Sequence, residues 1–99
     1  MDIRLKKEDG KLFIALNGRL DTVTSAELKQ ELDREGIENL AIDFDFTEVA
    51  YISSAGLRLI VALQKQTDET GNTLVIRNIN KVVSEIFRVA GFDKVLKIL

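Results

Sequence analysis

The chain has no cysteine, no histidine, no proline and no tryptophan. Without cysteine there is no disulfide framework, no thiol nucleophile and no zinc-thiolate or iron–sulfur site. Without histidine the commonest general base is missing, and with it the histidine phosphocarrier and the Ser-His-Asp triad. The lack of proline, with only six glycines, argues against a Pro-rich linker or a second domain. No apolar run reaches the about 18–20 residues of a membrane span, and Met1-Asp2-Ile3-Arg4 opens no signal-peptide core. The expectation is a cytoplasmic protein with no membrane span. An excess of charge of one sign is also missing: 14 Lys+Arg stand against 16 Asp+Glu, for a net charge of -2. With no basic run either, the chain is not expected to bind nucleic acid.

What remains is the composition of a folded domain, 45% hydrophobic and 30% charged over 99 residues. One domain spanning residues 1–99 is expected, with a modest core. Ile3 and Leu5 alternate with Arg4 and Lys6, and after Asp9-Gly10 the alternation resumes at Leu12, Ile14 and Leu16. Period two around an Asp-Gly turn predicts an antiparallel hairpin, which Gly18 then breaks. Leu40, Ile42, Phe44 and Phe46 predict a third strand, and Thr73–Arg77 a fourth. The other faces of these strands carry Arg4, Lys6, Asp43, Asp45 and Arg77, so one sheet face is expected to be solvated, with helices gathered on the other.

Three helices fit the remaining segments. Thr24-Ser25-Ala26-Glu27 has the form of a capping box, with Val23 and Leu28 spaced as a hydrophobic staple and Gly36 as a stop. The second helix runs from about Ser54 to Thr70 and ends at Gly71. The third uses Val82, Val83, Ile86, Phe87 and Ala90, with Asn80 as its cap and Gly91 at its end. Val95, Leu96, Ile98 and Leu99 form a last apolar segment, read as an edge strand.

Asp43 and Asp45, two apart on one strand, share a face. Paired carboxylates suit acid–base or metal chemistry, but nothing else marks a pocket, and a solvated sheet face is the favoured reading. Glu27, Glu31, Asp33 and Glu35 alternate with Lys29 and Arg34 as an exposed, ion-paired helix face does. No metal, cofactor or catalytic group is called for. The distinctive stretch is Asp45 to Arg58, where a strand ends, a short apolar loop follows, and Ser53-Ser54-Ala55-Gly56 opens an apolar helix. One serine is an N-cap there, and Gly56 permits close helix–sheet packing. A hydroxyl exposed at that helix mouth is well placed for phosphorylation, because unpaired amides and the helix dipole favour an anion. As a nucleophile a serine here lacks both the Gly-x-Ser-x-Gly elbow and a histidine.

Gly18-Arg19-Leu20-Asp21, Ala41-Ile42-Asp43-Phe44, Ile52-Ser53-Ser54-Ala55-Gly56-Leu57 and Val89-Ala90-Gly91-Phe92-Asp93-Lys94-Val95-Leu96 together resemble the STAS domain of bacterial anti-sigma factor antagonists. The resemblance implies an α/β fold, a single STAS-like domain with a mixed sheet and helices packed mainly on one face. It implies a regulator rather than an enzyme. An anti-sigma factor that is also a serine kinase would be its partner, and a serine phosphatase would reverse the modification. It places the phosphoacceptor on Ser54, with Ser53 as the alternative, since many members carry Asp at the position of Ser53. Asp21, Ser53, Ser54, Ala55, Gly56 and Arg58 are the partner-binding positions it implies, in a monomer or weak dimer. Many members also carry a further helix after the segment that here ends at Leu99. A STAS subunit of a stress-sensing or lipid-transport complex, without a phosphoswitch, is the alternative role.

Overall fold

A computed structural model describes residues 1–99. Strands β1 (Asp2–Glu8) and β2 (Lys11–Leu20) form the expected antiparallel hairpin. Asp9 and Gly10 at its turn have φ of 52° and 76°, the paired positive values that a two-residue turn needs to match strand twist. Helix α1 (Thr22–Glu35) leads to β3 (Ala41–Ile52), α2 (Ser54–Glu69) to β4 (Leu74–Arg77), and α3 (Lys81–Val89) through a 3-10 turn at Phe92–Lys94 to β5 (Lys97–Ile98). The five-stranded sheet has order β1-β2-β3-β4-β5, antiparallel only at the hairpin and parallel thereafter. Each parallel pair needs a crossover. Crossovers of one hand that step in one direction set every helix on the same face.

That face holds the core. Leu12, Ile14 and Leu16 of β2, Ile42, Phe44 and Phe46 of β3, and Leu74 and Ile76 of β4 are buried beneath Leu28, Leu32, Leu57, Ile60, Leu63, Val83 and Phe87. Phe46 links the layers. It meets Phe44 edge-on at 5.6 Å between ring centres and Phe87 of α3 at 6.4 Å. The acidic α1 face is solvated and ion-paired as expected, Lys29 with Asp33 at 2.8 Å and Arg34 with Glu31 at 2.7 Å.

Five expectations are corrected. Helix α1 begins earlier than the Thr24 box: Asp21 is the N-cap and Thr24 is its third helical residue, so the box is Asp21-x-x-Thr24. Val23 is 67% exposed and closes no staple, while Leu20, just before the cap, is fully buried. Strand β3 does not end at Phe46. Residues 47–52, read as a loop, continue the strand, because Glu48, Val49, Tyr51 and Ile52 pair with Asn17, Gly18, Arg19 and Leu20 of β2. Two register shifts, each adding one residue to β3, disturb the alternation that would have revealed it. Asp43 is not solvated either. It is 5% exposed, between Phe13 and Val75 on the neighbouring strands, and takes Arg77 Nε at 3.0 Å to both oxygens. In α3, Val83 and Phe87 are buried in the core and Ile86 is half-buried against it, whereas Val82 and Ala90 lie outside.

Candidate functional site

Strands β2 and β3 finish side by side, Leu20 opposite Ile52, and the next residue of each caps a helix. The Leu20 carbonyl accepts the Ser53 N–H at 2.9 Å, tying the two helix entrances together. Asn80, which caps α3 after β4, joins the same rim by donating from Nδ2 to the Val49 carbonyl at 3.0 Å. Three helix N-termini therefore line one end of the sheet.

At the α2 entrance Ser53 has extended backbone, φ -92° and ψ 176°, and its hydroxyl accepts the Gly56 N–H at 3.4 Å. Ser54 is the first helical residue and is exposed. The two serines thus divide the roles that spacing leaves open: Ser53 caps, and the Ser54 hydroxyl stays out of the cap. Gly56 sets how closely this turn approaches the sheet. A Cβ there would stand 2.7 Å from Ile52 Cγ1 and 2.8 Å from the Leu20 carbonyl oxygen, so any side chain would lift the helix entrance. Gly56 is buried and shapes the site from beneath. Ala55 is half-buried, while Arg58 is exposed and, four residues after Ser54, shares its helix face.

Asp21 has an internal task. Its Oδ1 accepts the N–H groups of Val23 at 3.1 Å and Thr24 at 3.0 Å. The Thr24 hydroxyl accepts the Asp21 N–H at 2.8 Å, and its single proton is shared between the Arg19 carbonyl at 2.6 Å and Asp21 Oδ1 at 3.1 Å. The Thr24 backbone bond, then the Thr24 hydroxyl and Val23, with the charge of Arg19, hold the Asp21 carboxyl below the usual carboxylate range. A carboxylate so engaged is a poor proton acceptor, and no histidine exists to replace it.

One member of the surface escaped sequence reasoning. Arg19 lies over the Tyr51 ring, 4.4 Å from guanidinium carbon to ring centre, in the strand pair that leads to Ser53. Only the shifted register opposes these two residues, so no local pattern reports them. Asp45, taken with Asp43 as a possible acid–base pair, accepts the Thr47 hydroxyl at 2.5 Å, the Thr47 N–H at 2.9 Å and Asn78 Nδ2 at 3.2 Å. These bonds, that from the Thr47 hydroxyl foremost, lower its pKa. It closes a turn.

A family model described as "Mlab, STAS domain" matches residues 3–99. The chain is 30% identical over 95 residues to BtrV of Bordetella bronchiseptica, a protein named as an anti-sigma factor antagonist, covering 93% of this chain and 80% of BtrV. Its fold is similar to a Thermotoga maritima protein named likewise, with a TM-score of 0.84 and 20% identity over 97% of this chain and 84% of the other. It is also similar to the anti-sigma factor antagonist SpoIIAA. The TM-score is 0.82 for the unphosphorylated form, at 15% identity over 99% of this chain and 88% of the other. For the phosphorylated form from Bacillus it is 0.67, at 14% identity over 99% and 91%. No helix is long and apolar enough to cross a membrane.

Proposed function

The chain belongs to the STAS domain family, and from that premise we propose that it is a partner-switching anti-sigma factor antagonist whose phosphoacceptor is Ser54. Unmodified, it binds an anti-sigma factor and thereby frees a sigma factor; phosphorylated, it releases its partner. Its similarity to anti-sigma factor antagonists supports the general role. The observation that carries the assignment to Ser54 is the division of labour at the α2 entrance. Ser53 is occupied as the cap, while Ser54 stands exposed at the first helical position.

The partner kinase transfers the γ-phosphoryl of ATP to Ser54 Oγ. An O–P bond forms, the bond to ADP breaks, and the hydroxyl proton passes to a base on the kinase. A serine phosphatase returns the hydroxyl by hydrolysis. The phosphate brings about -1.5 to -2 charges to a helix N-terminus whose first amides have no helical partner, a place that favours an anion by about 0.3–1 kcal/mol. In the free protein water covers its outer side. Against a partner surface shaped for a small neutral hydroxyl it loses that water, at several kcal/mol, and about 3 kcal/mol is already more than a hundredfold in affinity.

The test begins with the chain as bait in an extract of its own host and identification of the bound proteins. The anti-sigma factor so identified, made recombinantly, is then incubated with the chain and ATP, and the phosphate is mapped by peptide mass. Phosphate on Ser54 is expected. Phosphate on Ser53 alone refutes the acceptor assignment. Phosphate on neither serine refutes the switch and leaves the domain as an assembly subunit of a larger complex.

A further inference from the structure

Helix α3 carries two apolar stripes where one is enough to dock it. Val83 and Phe87, four apart, are fully buried against the sheet. Val82, Ile86 and Val89 form a second stripe at spacings of four and three, within an arc of about 60° on the helix surface, with Ile86 half-buried against the core and the two valines outside it. Val82 is 54% exposed and Val89 72% exposed. Together with Tyr51 this stripe lines an open groove of about 690 Å³, with Lys81 and Glu85 the charged residues at its edge.

We infer that this groove seats an uncharged hydrophobic ridge of the anti-sigma partner, so that the binding surface runs from Ser54 across Tyr51 to α3. The inference rests on the partner-switching reading above. Area argues against a second copy of this chain as the occupant. A specific, stable interface takes about 800 Å² from each partner, and three side chains on a nine-residue helix about 13 Å long supply only a fraction of that. The groove needs an occupant that also covers ground beside it. That ground is the serine entrance: Tyr51 is the second-last residue of β3, two before the α2 cap Ser53, with Arg19 stacked on its ring. Charge argues for an apolar contact. Lys81 and Glu85 have opposite signs, so a segment of either net charge gains no field to favour it, and the groove lacks the convergent polar groups that orient a small ligand. A contact of this kind is indifferent to the phosphate. It supplies holding strength, and Ser54 supplies the control.

The experiment uses the full chain and the recombinant anti-sigma factor identified as above. Affinity is measured calorimetrically for the unphosphorylated wild type, the double variant Val82→Asp/Val89→Asp and Ser54→Asp, with circular dichroism to verify each fold. A second readout follows the Val82 and Val89 methyl resonances of the wild type on titration with the same partner. The double variant is expected to lose at least thirtyfold in affinity with its fold retained, and both methyls to shift. Wild-type binding that Ser54→Asp abolishes but the double variant matches within twofold, with unmoved methyls, overturns the groove and leaves the switch standing. No binding by the wild type overturns the switch and the groove with it. A wild-type dimer in sedimentation that the double variant turns into a monomer assigns the groove to a second copy and refutes the inference.

Discussion

Arg77 Nε stands 3.0 Å from both carboxylate oxygens of Asp43, joining β4 to β3 on the sheet face that carries no helix. The partners differ in exposure: the Asp43 side chain is 6% accessible and that of Arg77 47%. The carboxylate has been withdrawn from water, whereas the guanidinium still reaches it. Removing the arginine therefore harms the protein more than removing the pair.

Arg77→Ala is expected to destabilise the fold by about 2 kcal/mol, below the about 3–5 kcal/mol of a fully buried pair because water partly replaces the exposed cation. Asp43→Val/Arg77→Val, which leaves no charge stranded, is expected to recover most of that loss. Urea unfolding of the single and double variants checks both.

Gly56→Ala is expected to cost about 1–2 kcal/mol despite alanine's better helix propensity, because the added carbon meets the Leu20 carbonyl oxygen, a backbone atom with little room to retreat. Thermal unfolding reads the cost, and amide shifts in the first turn of α2 report the displacement.

The two serines are expected to separate cleanly. Ser53→Ala loses the N-cap and about 0.5–1 kcal/mol, while Ser54→Ala stays within about 0.5 kcal/mol of the wild type. Ser54→Ala resists phosphorylation and remains in its binding state. Denaturant midpoints and a kinase assay on each variant test the separation.

Asp21 and Asp45 both have lowered pKa values, from hydrogen bonds led by the Thr24 amide and the Thr47 hydroxyl respectively. A carboxylate bound more weakly by protons when folded stabilises the fold above its unfolded value. That contribution is lost as pH falls through the folded one. The window opens near the unfolded value of 3.8 and extends to lower pH. Stability is expected to decline with acid across that window, and less steeply in Asp21→Asn and Asp45→Asn, as urea unfolding from pH 5 to pH 2 reads out.

Phosphate on Ser54 is expected to leave the fold unchanged, since Ser54 is exposed while Leu57 and Ile60 stay buried and anchor α2. Amide shifts should be confined to Tyr51–Arg58 while affinity for the anti-sigma factor falls more than a hundredfold. Shifts spread through the sheet would show that the phosphate acts by refolding.

Features fixed by neighbours in sequence were legible without a structure. The Asp9-Gly10 turn, the Gly36 stop, the Asn80 cap and the span of α2 each follow from residues within a turn or two. The serine pair was legible for the same reason, although which serine caps was settled by backbone geometry. Misread features depend on pairing across the chain. The end of β3 looks like a loop because its bulges are defined only against β2, and Asp43 looks solvated until Phe13, Val75 and Arg77 close around it. The Asp21 cap was missed because Thr24-Ser25-Ala26-Glu27 offers a competing box that is equally plausible on spacing alone. In α3, periodicity counts apolar residues without saying which of two stripes meets the sheet.

The polarity of the parallel strands assigns the two ends of the molecule to different uses. Asn80, Ser53 and Asp21 open their helices where these strands finish, whereas Asp9 and Gly10 turn the hairpin where β2 begins. The hairpin tip is thus a natural handle. A dye, an affinity tag or a surface tether attached there leaves the serine entrance unobstructed, and peptide inserted at the tip lengthens a turn without shifting the register that opposes Arg19 to Tyr51.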